Sequence, residues 1–265
     1  MKLPLYQIDA FAEKPFQGNH AAVCPLENWL SEKTLQAIAE ENNLSETAFH
    51  VERNGVYELR WFTPTLEVDL CGHATLAAAH VIFQSLEENI NIITFHSKSS
   101  PLHVSRAGEL LELDFPAQLG VACETPPALV DALRKEPSYC YRATDYMAVY
   151  EDEETILSLS PDPTKLMELD LRGVIVTAPG RSQDFVSRFF APNYGVNEDP
   201  VTGSAHCTMT PYWAEKLKKN ELVAKQLSKR TGIVRCRLEN DRVMLSGRTV
   251  AYLEGYITIE SEQDD

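Results

Sequence analysis

The sequence predicts an α+β fold of two related halves, each a set of short strands around one apolar helix. Three observations carry that expectation: an internal repeat, many short strand-like segments, and two glycine-led apolar runs of helical length. The repeat pairs Arg60-Trp61-Phe62-Thr63-Pro64 with Arg188-Phe189-Phe190-Ala191-Pro192. Acidic residues follow each copy (Glu67 and Asp69; Glu198 and Asp199), and then a small-residue turn: Cys71-Gly72-His73-Ala74-Thr75 in the first, Thr202-Gly203-Ser204-Ala205-His206 in the second. Pro64 to Pro192 spans 128 positions and Gly72 to Gly203 spans 131, both close to half of the 265 residues. The expected halves are residues 1–118 and 119–265, with the last strand returning to the first half.

The elements follow in order. Leu5 to Phe11 alternates apolar residues and reads as a strand. Ser31 to Glu41 is an amphipathic helix with Ser31 as N-cap. Thr47 to Arg53 and Tyr57 to Phe62 are strands, and Ala74 to Phe83 is a buried helix. Ile92 to Phe95, Leu102 to Ser105 and Leu110 to Phe115 complete the first half as strands. A linker over 117–124 leads to a helix at Pro127 to Arg134. The second half places strands at Tyr146 to Tyr150, Gly173 to Ala178 and Phe185 to Phe190. Its helix, Ala205 to Leu217, contains Pro211, which is expected to kink or shorten it. Strands at Gly232 to Leu238, Arg242 to Ser246 and Val250 to Ile259 close the chain.

Composition narrows the function. There are 24 Lys and Arg against 39 Asp and Glu, a net charge of −15 with no local basic stripe, which disfavours a nucleic-acid partner. No apolar run approaches the roughly 20 residues that span a bilayer, and none follows the start as a secretion signal would. A cytoplasmic protein without a membrane partner is expected. Cys24, Cys71, Cys123, Cys140, Cys207 and Cys236 contain no Cys-x-x-Cys pair, and most read as small buried hydrophobes.

The two glycine turns suggest chemistry. A helix that starts at Gly72 or Gly203 presents unpaired N–H groups and a partial positive charge, a setting for a carboxylate. Two such ends facing one cleft would hold a small anionic substrate. Glu46, between a helix and an apolar strand, can be partly buried there and act as base and then acid. His73 and Asp199 flank the turns.

The same residues carry a family resemblance. Ile8-Asp9-Ala10-Phe11, Gln17-Gly18-Asn19-His20-Ala21-Ala22-Val23, Asn43-Leu44-Ser45-Glu46-Thr47, Trp61-Phe62-Thr63-Pro64, Cys71-Gly72-His73-Ala74-Thr75 and the run from Tyr194 to His206 resemble the PhzF family of phenazine-biosynthesis-like proteins. The resemblance implies the diaminopimelate-epimerase-like fold: two pseudo-symmetric domains, each a β-barrel-like sheet wrapped around a central helix. It also implies an isomerase that needs no metal or organic cofactor, and often a homodimer. Carried over by motif, Glu46 would abstract and return a proton, and His73 and Asp199 would assist. Asn19, Gly72, Gly203 and Ser204 would bind the substrate.

Racemases of this fold use two cysteines, one before each central helix. Here Cys71 stands at the first place and Thr202 at the second, and a Thr hydroxyl without an evident base does not replace a thiolate. His20 stands where some relatives have proline.

Two other functions fit parts of the pattern. One is a hydrolase built on Ser204, His73 and Asp199, although no Gly-x-Ser-x-Gly elbow surrounds Ser204. The other is a module that keeps the fold to bind a ligand or protein. A metal centre built on Cys71, His73, His206 and Cys207 lacks the paired ligand spacing of structural zinc sites.

Overall fold

A computed structural model describes residues 1–85, 90–98 and 101–260. The chain divides into two compact units, Met1–Asp114 with the segment from Ser246 onward, and Phe115–Leu245. In chain order the first unit carries β1 (Lys2–Ala10), β2 (Asn19–Leu26), α1 (Glu32–Asn42), β3 (Glu46–Arg53), β4 (Val56–Phe62), β5 (Glu67–Val68), α2 (Gly72–Ser85), β6 (Ile92–His96) and β7 (Leu102–Ala107). β8 (Leu110–Pro116) leads into the second unit, which holds β9 (Val121–Ala122), α3 (Pro127–Leu133), β10 (Tyr139–Arg142), β11 (Tyr146–Val149), α4 (Glu153–Ser158), α5 (Pro163–Leu166), β12 (Val174–Pro179) and β13 (Phe185–Ala191). β14 (Val196–Asp199), α6 (Gly203–Leu217), β15 (Glu221–Gln226) and β16 (Gly232–Glu239) follow. β17 (Arg242–Gly247) leads back to the first unit, which β18 (Thr249–Thr258) joins by pairing with β1.

The internal repeat reappears as an order of strand pairings. In the first unit β1 pairs antiparallel with β2, β2 parallel with β3, β3 antiparallel with β4, and β4 parallel with β6. In the second, β10 pairs antiparallel with β11, β11 parallel with β12, β12 antiparallel with β13, and β13 parallel with β15. A parallel pair needs a crossover, and helices occupy each one: α1 between β2 and β3, α4 and α5 between β11 and β12, α2 and α6 at the second crossovers.

The repeated Arg and Glu have one job in both copies. Arg60 donates through Nε and Nη2 to Glu67 at 2.7 and 2.8 Å, and Arg188 donates likewise to Glu198 at 2.7 and 3.0 Å. Each guanidinium lies over a ring of its own strand, Phe62 or Phe190. The fork therefore ties each long strand to the short strand that turns into the apolar helix.

Both apolar helices are buried. From His73 to Ala79 and from Val81 to Phe83, α2 is covered, and it packs against β1, β2, β3, β7 and β18. Its alanines admit close approach, while Leu76, Val81, Ile82 and Phe83 each gain about 1.5–3 kcal/mol from burial. α6 packs against β15 and β16. It runs through Pro211 to Leu217, so the shortening allowed for at the proline does not occur. The carbonyl that Pro211 cannot satisfy is that of Cys207, and Gln118 N–H fills the gap at 3.1 Å.

Local signals explain the remaining boundaries. Ser31 Oγ accepts from Thr34 N–H at 3.2 Å and starts α1, which Asn43 ends in the left-handed conformation. β2 and β15 escape sequence reasoning. β2 is an Ala-rich strand buried on both faces, as parallel pairing with β3 demands, so it does not alternate. β15 turns Leu222, Ala224 and the polar Gln226 inward. No described helix is long and apolar enough to cross a membrane.

Candidate active site

The first unit assembles Glu46, His73 and Asn19 in one group. Glu46 opens β3 opposite Ala21 of β2, so Asn19, two residues earlier on β2, lies along the same face. His73 is the second residue of α2. Its Nε2 lies 2.9 Å from Glu46 Oε2, with side-chain exposures of 6 and 16%. Asn19 Nδ2 contacts His73 Nδ1 at 3.2 Å, and Ser45 Oγ donates to Asn19 Oδ1 at 2.9 Å. Cys71 Sγ stands 3.5 Å from Nδ1 and 4.0 Å from Nε2. One oxygen of Glu46, the sulfur of Cys71 and a ring nitrogen of His73 lie within 4.8 Å of one another, the one such cluster of potential metal ligands among the described residues.

Burial alone disfavours a charged ring at His73. Cys71 and Glu46 beside it act in the opposite sense and raise its pKa well above the ordinary imidazole value. The Asn19 amide makes the contrary demand: with Oδ1 taken by Ser45, its Nδ2–H faces Nδ1, which suits a neutral ring protonated at Nε2. Turning that one amide lets Oδ1 accept from the cation. Burial, reinforced by the Glu46 charge, pushes the Cys71 thiol up, and His73 beside it pulls the other way. Glu46 Oε2 is buried, and the nearest donor to it is His73 Nε2, its ion partner at 2.9 Å.

In the second unit, Asp199 ends β14 and Gly203 opens α6. Thr202 donates its hydroxyl to Asp199 Oδ2 at 2.5 Å, which corrects the expectation that Thr202 has no base beside it. The titratable group here is the carboxylate. Gln226, which sequence reasoning missed, accepts from Thr202 N–H at 3.0 Å and donates to the Asp199 carbonyl at 2.7 Å, closing the turn.

Arg172 was also missed. Its Nη2 donates to Ser204 Oγ at 2.9 Å, and its Nε and Nη2 hold the fully buried Asp145 at 2.9 and 2.5 Å. Burial lowers its pKa, but Asp145 more than restores it. The sequence carries one weak signal of this: an arginine beside Gly173, where a Cβ would stand 2.6 Å from the Phe189 ring over which the guanidinium lies. Ser204 therefore accepts from a cation, and Asp199 takes the Thr202 hydroxyl. A β-carbon at Gly203 would meet only Leu245, at an ordinary 3.8 Å. His206 and Cys207 turn inward, to the Thr202 carbonyl at 2.7 Å and the Gly203 carbonyl at 3.5 Å.

Comparison with known proteins agrees with this architecture. Residues 8–255 match the model of the family described as phenazine biosynthesis-like protein, PhzC-PhzF. An uncharacterized isomerase of Pseudomonas aeruginosa is 52% identical over 255 residues, covering 96% of this chain and 98% of the relative. A crystal structure of a PhzF-family protein from Enterococcus faecalis superposes with a TM-score of 0.95 at 46% identity, covering 98% of this chain and all of the other. A hydroxyproline epimerase from Agrobacterium vitis, solved with trans-4-hydroxy-L-proline, shares the fold alone: TM-score 0.62 at 9% identity, over 97% of this chain and 92% of that one. On the family match and these identities, the chain belongs to the phenazine biosynthesis-like, or PhzF, family.

Proposed function

We propose that the protein is an isomerase that moves a proton on a small carboxylate-bearing, cyclic amino-acid-like substrate without an organic cofactor, with Glu46 as the acid and base. One observation carries the assignment: a largely buried carboxylate whose Oε2 stands 2.9 Å from a buried histidine. A carboxylate oxygen has more than one lone pair, so the ring at 2.9 Å does not exhaust it. An oxygen with a free lone pair can take a proton from carbon, and His73 can stabilise the carboxylate or pass the proton on. Asn19 sets the ring through the hydrogen bond to Nδ1.

In this reading Gly72 in the first unit, and Gly203 and Ser204 in the second, offer helix starts suited to a carboxylate, Arg172 adds charge at Ser204, and Asp199 assists proton transfer. The names of the isomerase relative and of the epimerase of like fold support the reaction class. The acidic composition does not oppose an anionic substrate, since a guanidinium and a helix start act locally.

The test follows deuterium incorporation from D2O by proton NMR, with trans-4-hydroxy-L-proline and a panel of cyclic amino acids and dihydro-hydroxyanthranilates. The wild type exchanges a carbon-bound proton of at least one compound. Glu46→Gln lowers that rate about 10²–10⁴-fold, the usual contribution of a general acid or base, while ligand binding persists. Full exchange by that variant would sink the role of Glu46, and wild-type binding without exchange would favour a ligand-binding module instead.

A further inference from the structure

Proton transfer by Glu46 leaves Cys71 without a task, yet the fold sets its sulfur beside two other metal-ligating atoms. The three ligands come from separate places: Glu46 from the start of β3, Cys71 from the residue before α2, and His73 from the first turn of α2. Spacing along the chain hides such a site, because Glu46 precedes Cys71 by 25 positions.

The distances fit a particular class of ion. Zinc takes thiolate sulfur at about 2.3 Å and imidazole nitrogen or carboxylate oxygen at about 2.0–2.1 Å, so its tetrahedral ligands stand about 3.3–3.6 Å apart. Here His73 Nε2 is 2.9 Å from Glu46 Oε2 and 4.0 Å from Cys71 Sγ. One separation is about 0.4 Å short and the other about 0.4 Å long, and Glu46 and Cys71 lie within 4.8 Å, so the three side chains must move together to close on an ion. Glu46 Oε2 keeps acceptor capacity beyond its contact with His73, so it can turn a lone pair to the cation.

We propose that Cys71, His73 and Glu46 form a reversible site for one soft divalent cation of the zinc class, and that its capture switches proton transfer off. A thiolate and a carboxylate neutralise the two positive charges, so the buried site ends without net charge. Starting from the imidazolium, Cys71 Sγ and His73 Nε2 each lose a proton to solvent as the metal–sulfur and metal–nitrogen bonds form, and a water completes the four ligands. His73 Nδ1–H then donates to Asn19 Oδ1 once that amide turns, the outer contact that fixes a metal-bound imidazole. Calcium and magnesium, which take oxygen ligands, are excluded by the sulfur and the nitrogen. The switch rests on the isomerase reading above, whereas the binding site does not.

Cobalt(II) added to chelator-stripped full-length chain reads the site directly. One equivalent produces a thiolate-to-cobalt charge-transfer band together with the visible bands of four-coordinate cobalt, and excess Zn2+ bleaches both. Cys71→Ser loses the charge-transfer band. Cys123→Ser keeps it, a needed control because the Cys123 and Cys140 sulfurs lie 3.6 Å apart and form a second thiol pair. Glu46→Gln weakens cobalt binding at least tenfold. Should Cys71→Ser fold poorly, protection of Cys71 from alkylation by Zn2+ in the wild type, mapped by mass spectrometry, replaces it.

Absence of the band in wild type, or its survival in folded Cys71→Ser, overturns the site. Spectroscopic binding that leaves deuterium exchange untouched overturns the switch. A metal-free wild type that exchanges nothing counts against the isomerase reading alone, because the spectra decide the site.

Discussion

At Arg172 one guanidinium serves both oxygens of Asp145 and the hydroxyl of Ser204. Asp145 is fully buried, so deleting its partner strands a charge in the core, a loss of about 3–5 kcal/mol. Replacing both charges with apolar groups removes that penalty. Arg172→Met is therefore expected to lower urea-unfolding stability by about 3–5 kcal/mol, and Arg172→Met with Asp145→Leu to recover much of it. A double variant as unstable as the sum of its singles would show that Asp145 is not held in this way. The double variant should also bind carboxylate ligands about 10–100-fold more weakly, since a hydrogen bond to a charged group contributes about 1.5–3 kcal/mol. At this scale Glu46, His73 and Asp199 are candidates in the sequence because each stands in a distinctive local run. Arg172 and Gln226 are not: an isolated arginine or glutamine acquires meaning only through partners 27 and 24 positions away, Asp145 and Thr202.

At the scale of elements, the duplicated strand and turn carry one ion pair each, but the two copies differ in what else they hold. Arg188 also donates to the carbonyls of Ile156 and Leu159 at 3.2 and 2.7 Å and so anchors α4. Arg60 spends its extra donor on Glu32, whose side chain is 75% exposed, a contact of about 0–1 kcal/mol. Arg188→Met should thus cost about 3–5 kcal/mol and Arg60→Met about 1–3 kcal/mol, measured by urea unfolding. The reverse order would break the comparison. The pairing order itself was half legible. Arginine, aromatic residues and proline advertise β4 and β13, while β2 and β15 are silent because one is buried on both faces and the other turns a glutamine inward. Pro211 misleads for a related reason: the carbonyl it orphans is rescued by Gln118, 89 positions before Cys207, which no helical window contains.

Across the whole molecule, three buried histidines set opposing pH dependences. His50 and His206 are each pushed down to about 4 by burial, although a bond to the Thr202 carbonyl partly counters it at His206. The unfolded chain protonates them near 6.5, whereas the folded chain resists until about 4. Their contribution to stability is complete above pH 6.5 and is lost as pH falls from 6.5 toward 4, at about 1.4 kcal/mol per pH unit for each group. His73 runs the other way: raised by its neighbours, it contributes fully below its unfolded pKa and loses that contribution as pH rises through its folded one. The stability profile is therefore a dome, with its acid limb set mainly by His50 and His206 and added to by His80, which burial also lowers. Melting temperature measured from pH 7.5 down to 5.5, above the isoelectric point of about 4.9 where self-association intrudes, should fall progressively below pH 6.5. His50→Gln with His206→Asn should flatten that limb, since neither replacement titrates, at the expense of a lower plateau near neutrality. An acid limb of unchanged slope in the double variant would move the origin of acid lability to the carboxylates.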